Sequence, residues 1–275
     1  MNSAFFFFGN SAFSLPVLDT LKTHRLLPRF IVTSANRPAG RHLQLTPNPV
    51  KVFAAQNQLP VLESPAELAR CLADLPPSDL PLGLVAAYGR IIRPPVLAAF
   101  SGRLYNLHPS LLPLYRGPSP LQAQILDRVT VTGVTLMLMD AQVDHGPILG
   151  QVQDQIGPAD TTPELGRRLF TKGTELFLDF LARPENYPPS PQSHSRATFT
   201  HLLTRESGFI PYPEFVSQVN SSHPDLLIKF RALHPWPGVW TTDPQNRRLK
   251  LTAVSPQILV QIAGKTPTPL TEIHF

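Results

Sequence analysis

The sequence predicts an α/β protein: a mostly parallel sheet with crossover helices, followed by a small β-rich domain. Three observations carry that expectation. Short apolar runs alternate with helix-like segments over the first two thirds of the chain, as in a sheet built from βαβ units. Residues 184–191 then hold four prolines in eight positions, a break that reads as a linker. Beyond it come shorter strand-like runs at 239–242 and 249–254, separated by the turn-like Asp243-Pro244-Gln245-Asn246. The resulting organisation is residues 1–183, a linker at 184–204, and a C-terminal domain at 205–275. At 42% apolar residues the chain of 275 can build a substantial core and is not disordered.

The elements follow in order. Ala4 to Phe8 is a continuous apolar strand ending in Gly9-Asn10. No Lys or Arg precedes it and polar Asn10 and Ser11 follow at once, so it reads as a buried strand and not as a signal peptide. The next helix carries Pro16 in its first turn and buries Leu18 and Leu21. Phe30 to Val32 is the second strand, and residues 36–47 read as a loop. Asn48-Pro49 resembles an N-cap followed by the first helical residue. Ser64-Pro65-Ala66-Glu67 forms a capping box that opens a helix over 65–75. Strands are expected at Leu82 to Ala87, Arg103 to Leu107, Gly133 to Met139 and Ile148 to Ile156. Thr161-Thr162-Pro163-Glu164 caps a long helix whose apolar face is Leu165, Leu169, Phe177, Phe180 and Leu181. A short helix is expected from Asp225 to Leu233.

Composition narrows the function classes. No stretch approaches the roughly 18 apolar residues that cross a bilayer. One cysteine, Cys71, excludes an intramolecular disulfide and a cysteine-based zinc site, and fits a reduced intracellular setting. Basic residues cluster in two separated places. Lys22 to Leu62 holds Lys22, Arg25, Arg29, Arg37, Arg41 and Lys51 with no acid. Residues 226–271 hold Lys229, Arg231, Arg247, Arg248, Lys250 and Lys265 against Asp243 alone. Two such zones suit a polyanion held at both, or serve solubility only.

Chemistry concentrates in two segments. In Asn106-Leu107-His108-Pro109-Ser110-Leu111-Leu112-Pro113, Asn106 and His108 stand two apart at a strand end and can share one face. An amide that holds a developing oxyanion beside an imidazole that moves a proton suits acyl transfer. The second segment, Met139 to Leu149, offers Asp140 and Asp144 in a loop bounded by Gly and Pro. One carboxylate there can orient a histidine. Metal binding is disfavoured because no suitably spaced further ligands appear.

With these residues in view, the chain resembles the methionyl-tRNA formyltransferases, within the wider group that uses 10-formyltetrahydrofolate as formyl donor. The resemblance rests on Asn-x-His-x-Ser-Leu-Leu-Pro at 106–113, Asp-x-x-x-Asp-x-Gly at 140–146 and their separation. It is extended by Ala87-Tyr88-Gly89, Arg116-Gly117, Pro120, Gln122 and Gly133-Val134-Thr135. Arg37 to Arg41, Pro47 to Lys51, Ala197-Thr198, Leu203 to Glu206 and Phe230 to Gly238 favour the tRNA enzymes over their relatives.

The resemblance implies a Rossmann-like formyltransferase domain followed by an OB-like barrel. It implies Asn106, His108 and Asp144 as the catalytic trio, with the folate near Ala87, Tyr88, Ser110, Leu111, Leu112, Pro113 and Asp140. It implies Arg37, Arg41, Lys51, Lys229, Arg231, Arg247 and Arg248 toward initiator methionyl-tRNA, no metal, no membrane, a cytoplasmic setting and a monomer. The sequence departs from the family in the Arg41 to Leu45 stretch, where lysines are common, and in Pro118-Ser119. It departs again at His145, where a small Thr is usual, which leaves His145 either coupled to Asp144 or facing solvent. Between Ser255 and Ile258 a further pair of strands is missing, so a shortened barrel is expected. The competing readings are a sugar-nucleotide N-formyltransferase with the same donor and a noncatalytic RNA-binding relative.

Overall fold

Five consecutive apolar residues leave no polar face for water, so their strand has to be covered on both sides. In a computed structural model, which describes residues 4–39, 44–46 and 48–269, β1 (Ala4–Phe8) is buried along its whole length. Its period of two divides it between two cores. Phe5 and Phe7 pack with Leu18, Leu21, Phe177 and Phe180, whereas Ala4, Phe6 and Phe8 pack with Leu68, Phe100 and Leu104. Each buried phenylalanine contributes about 1.5–3 kcal/mol of transfer free energy, an upper figure because the unfolded chain is already partly collapsed.

The elements that follow are α1 (Leu15–Thr23), β2 (Phe30–Val32), β3 (Arg37–Ala39), β4 (Gln44–Thr46), α2 (Pro49–Gln56), β5 (Val61–Leu62), α3 (Pro65–Ala73), β6 (Pro81–Ala86), α4 (Pro94–Ala99) and β7 (Leu104–His108). Then come α5 (Pro120–Leu126), β8 (Val131–Leu138), β9 (Ile148–Gln155), α6 (Thr162–Ala182), α7 (Tyr212–Asn220), α8 (Pro224–Leu233), β10 (Trp240–Thr242), β11 (Arg248–Ala253) and β12 (Leu259–Ile262). Local chemistry sets several boundaries. Asn48 caps α2 by accepting from Val50 N, and Ser64 with Glu67 closes the expected capping box on α3.

The chain divides into two compact units. The first comprises Met1–Arg116, Gly133–Asp154 and Gly166–Phe199; the second comprises Gly117–Thr132, Gln155–Leu165 and Thr200–Phe275. The seven-stranded sheet runs β5-β2-β1-β6-β7-β8-β9. Strands β5, β2, β1, β6 and β7 are parallel, and β8 turns antiparallel to β7. In the second unit α5 packs on α8, α7 packs on β10, and β10-β11-β12 form an antiparallel sheet. This is the α/β fold with a small β domain that the sequence predicts.

Two stretches differ from expectation. The loop at 36–47 contains a ribbon, with Arg37 opposite Thr46 and Ala39 opposite Gln44; Arg41 lies outside the described residues. Its Pro38 is tolerated because a two-stranded ribbon leaves one backbone edge of each strand unpaired. Residues 184–199, read as linker, group with the first unit. Ile148 and Ser190 exchange backbone hydrogen bonds of 2.8 Å each, and Arg116 N donates to Thr198 O at 2.9 Å. Backbone pairing of this kind is blind to proline-rich composition. No helix among the described residues is long and apolar enough to cross a membrane.

Candidate active site

The parallel strands end together at one sheet edge, and the strand order changes direction at β1, which lies between β2 and β6. Ligands of open α/β sheets bind outside the carboxyl ends at such a point. Asn106 and His108 lie at that end of β7, on one face of the strand. Asp144 comes from the loop between β8 and β9. Its Oδ1 accepts from Asn106 Nδ2 at 3.3 Å and lies 3.5 Å from His108 Nδ1. The trio expected from the motifs is therefore gathered on one carboxylate oxygen.

The imidazole is held from both sides. His108 Nε2 is 2.8 Å from the carbonyl oxygen of Tyr115. A carbonyl can only accept, so Nε2 carries the proton and Nδ1 is the atom presented to Asp144. His108 is only 4% exposed, which removes competing water from this exchange. The turn that supplies Tyr115 is tied to β8 through one hydroxyl. Thr135 Oγ1 donates to Ser110 O at 2.6 Å and accepts from Leu112 N at 3.1 Å and Gln151 Nε2 at 2.9 Å. Ser110 Oγ in turn donates to Leu114 O at 2.6 Å. Ala87, Tyr115 and Asp144 all take positive φ, at 51°, 59° and 48°. Left-handed backbone costs about 1–2 kcal/mol per residue outside glycine, so each of these conformations has to be held by its surroundings.

Asp140, expected beside the folate, accepts from Gln142 N at 2.9 Å and from His145 Nδ1 at 2.6 Å. His145 thus pairs with Asp140. It also stacks on His194, with ring centroids 4.1 Å apart and planes 2° from parallel. Loss of hydration, aided by His145 and Arg116, holds His194 below the ordinary histidine range. Arg116 Nη2 donates to His194 Nδ1 at 3.0 Å, and Arg116 also binds Gln192 Oε1 through Nε and Nη2 at 3.1 and 2.6 Å. Sequence reasoning placed Gln192 in the linker and gave Tyr115, Thr135 and Thr198 no role.

The remaining candidates divide by direction. Tyr88 lines a cavity of about 70 Å³ with Phe8, Val32, Ile92 and Val96, and burial pushes its hydroxyl up. Leu111 and Pro113 are partly exposed, whereas Ser110 and Leu112 are buried and face the protein. Among the basic residues, Lys51 pairs with Glu63 at 2.7 Å. Arg231 Nε and Nη2 donate to the carbonyls of Asp160 and Gly157 at 2.8 and 2.7 Å, and burial lowers its guanidinium. Arg247 Nε binds buried Asp243 at 2.7 Å, which commits it to the turn before β11. Arg248 lies over the Trp240 ring at 4.6 Å, and Lys229 is half-buried on α8. No group of three or more His, Cys, Asp or Glu among the described residues could hold a metal ion.

Residues 1–181 match the family described as formyl transferase. Over 245 residues the chain is 40% identical to a methionyl-tRNA formyltransferase of Chloroflexus aurantiacus, covering 86% of this chain and 74% of that one. It is 42% identical over 246 residues to a methionyl-tRNA formyltransferase of Roseiflexus castenholzii, with the same coverage of 86% and 74%. Among solved structures, the N-formyltransferase from Helicobacter canadensis in complex with folinic acid and dTDP-3-aminofucose gives a TM-score of 0.59 at 18% identity. That match covers 91% of this chain and 88% of that one, and it speaks to the fold. The chain belongs to the methionyl-tRNA formyltransferases, a family of enzymes.

Proposed function

We propose that this enzyme transfers the formyl group of 10-formyltetrahydrofolate to the amino group of methionine on charged initiator tRNA. The observation that carries the chemistry is the convergence of Asn106 and His108 on Asp144 Oδ1. The acceptor rests on family membership across most of the chain. Toward a folate the chain offers the apolar side chains Tyr88, Ile92 and Val96 and, separately, the Asp140 carboxylate as an acceptor for ring N–H donors. Ala87, Tyr88, Leu111, Pro113 and Asp140 would hold it, with Ser110 and Leu112 supporting from the core. When bound, the folate supplies the formyl carbon.

The chain's own groups do the rest. Asn106 gives one Nδ2 proton to Asp144 and has the second for the formyl oxygen as it gains charge. A donor in that position is worth about 10²–10³ in rate. His108 Nδ1 would take up the proton of the attacking amine and return it to the donor nitrogen that leaves as its bond to the formyl carbon breaks, a general acid–base contribution of about 10²–10⁴. The Tyr115 carbonyl, accepting from Nε2, fixes the ring with Nδ1 toward Asp144, and once Nδ1 has taken up the proton the Asp144 carboxylate 3.5 Å away stabilises the imidazolium. Arg37, Arg41, Lys51, Lys229 and Arg248 serve the tRNA backbone, and the C-terminal unit serves as an abbreviated OB-like domain. The enzyme acts as a monomer in the cytoplasm, where charged tRNA resides.

The test is formyl transfer from 10-formyltetrahydrofolate to charged initiator methionyl-tRNA, with charged elongator methionyl-tRNA alongside. Selective formylation of the initiator is expected. Transfer to an amino-sugar nucleotide in place of both tRNAs would overturn the reading.

A further inference from the structure

Residues 190–199 hold both partners of His108. On the Nε2 side, Thr198 Oγ1 accepts from Tyr115 N at 2.8 Å and Thr198 O accepts from Arg116 N at 2.9 Å. These bonds fix the carbonyl that receives His108 Nε2. On the Nδ1 side, Gln192 Nε2 donates to Asp144 O at 3.0 Å and to Gly146 O at 2.7 Å. Gln192 is 5% exposed, and its Oε1 accepts from Arg116 Nε and Nη2.

The direction of this amide is forced. Arginine has only donors, so Oε1 faces Arg116; the two carbonyls only accept, so the NH₂ faces the loop. Both Nε2 protons and both oxygen lone pairs are then used. The loop needs such a restraint, because Asp144 holds φ 48° and Gly146 lies against Leu138, whose O would be 2.0 Å from an added Cβ. A left-handed aspartate persists only where its neighbours over-determine it.

We propose that Gln192 is a positioning residue of the reaction. It holds the backbone of Asp144 and Gly146 so that Asp144 Oδ1 stays within reach of both Asn106 and His108. The inference rests on the assignment of those three residues as the reacting groups. Released from Gln192, the loop relaxes, and a displacement of about 1 Å at the carboxylate is enough for a loss of about 10²-fold.

Gln192→Glu separates donation from packing. The carboxylate keeps Arg116 as a partner and the fold with it, yet has no proton for the two carbonyls. Gln192→Ala removes both contacts. The full-length chain, labelled with ¹³C at histidine, is examined by NMR at neutral pH, with His108 assigned through His108→Gln. In both Gln192 variants the His108 ring resonance is expected to move toward its position in Asp144→Ala. A resonance that stays at its wild-type position in both variants overturns the proposal. In parallel, kcat of Gln192→Glu is expected to fall about 10–100-fold with the donor KM within about threefold. A kcat that remains near wild type overturns it as well. Should wild type transfer nothing to charged initiator tRNA, the functional reading fails while the His108 resonance still decides the role of Gln192.

Discussion

Replacing Thr135 by valine keeps the shape of a fully buried side chain and deletes one oxygen. That oxygen donates to Ser110 O and accepts from Leu112 N and Gln151 Nε2. Gln151 is exposed, keeps its bond to Leu112 O at 2.9 Å, and can turn its other proton to water. Ser110 and Leu112 are buried, so their backbone groups lose a partner that water does not replace. An unsatisfied buried group costs about 1–3 kcal/mol, and the added methyl returns about 0.8 kcal/mol. The net loss is about 3 kcal/mol. At about 2–4 °C per kcal/mol for a chain of this size, thermal unfolding moves down by about 6–12 °C. Thr135→Ser, which keeps the hydroxyl and loses a methyl, costs about 1 kcal/mol. Calorimetry on the three proteins decides. A shift below about 2 °C in Thr135→Val, or an equal shift in the serine variant, would refute the account of the Thr135 hydroxyl as the needed partner of two buried backbone groups in the 110–116 turn.

Gly146→Ala places a Cβ 2.0 Å from the Leu138 carbonyl oxygen, so the Asp144 loop has to move; formyl transfer falls by about 10²-fold in steady-state kinetics. His194 and His234 both titrate below the ordinary range, each chiefly through lost hydration, helped by His145 and Arg116 for the first and by Lys250 for the second. Their contribution to stability is therefore complete above the unfolded value of about 6.5 and is lost as pH falls through the lower folded values. The urea midpoint falls from pH 7.5 to pH 5 in wild type, and less steeply in His194→Gln/His234→Gln. Arg231→Ala removes two bonds to carbonyls and lowers stability by about 2–4 kcal/mol, without altering the salt dependence of tRNA binding. Arg248→Ala does the reverse, flattening the log–log salt slope by about one unit.

What could be read from the sequence depended on how local each signal was. The strand Ala4–Phe8 announces its burial in five residues, and the Ser64/Glu67 box closes within four. Asn106 and His108 share a face because the strand period is two, a fact independent of everything else in the fold. The short helices α4, α5 and α7, six to nine residues each, offer at most about two and a half turns of periodicity and were not legible. Side-chain direction was the least legible. Arg231 and Arg248 look alike as members of one basic zone. Yet one is committed to the carbonyls of residues some seventy positions upstream and the other stacks on an indole.

The same distinction explains why the motifs mark the proposed reacting groups but not what aligns them. Two short runs, 106–113 and 140–146, contribute the amide, the imidazole and the carboxylate, and local sequence marks them. Their alignment depends on carbonyl oxygens of Tyr115, Asp144 and Gly146, groups that every residue possesses and no composition can flag. Those carbonyls are aimed by Thr135, Thr198 and Gln192, from a sheet strand and from a proline-rich stretch. Each aiming contact is a single hydroxyl or amide with opposing partners on either side, so its geometry is set by hydrogen-bond capacity. The expectation that follows is a loss of alignment on substitution of Thr135 or Gln192 with every residue of the proposed catalytic trio still in place.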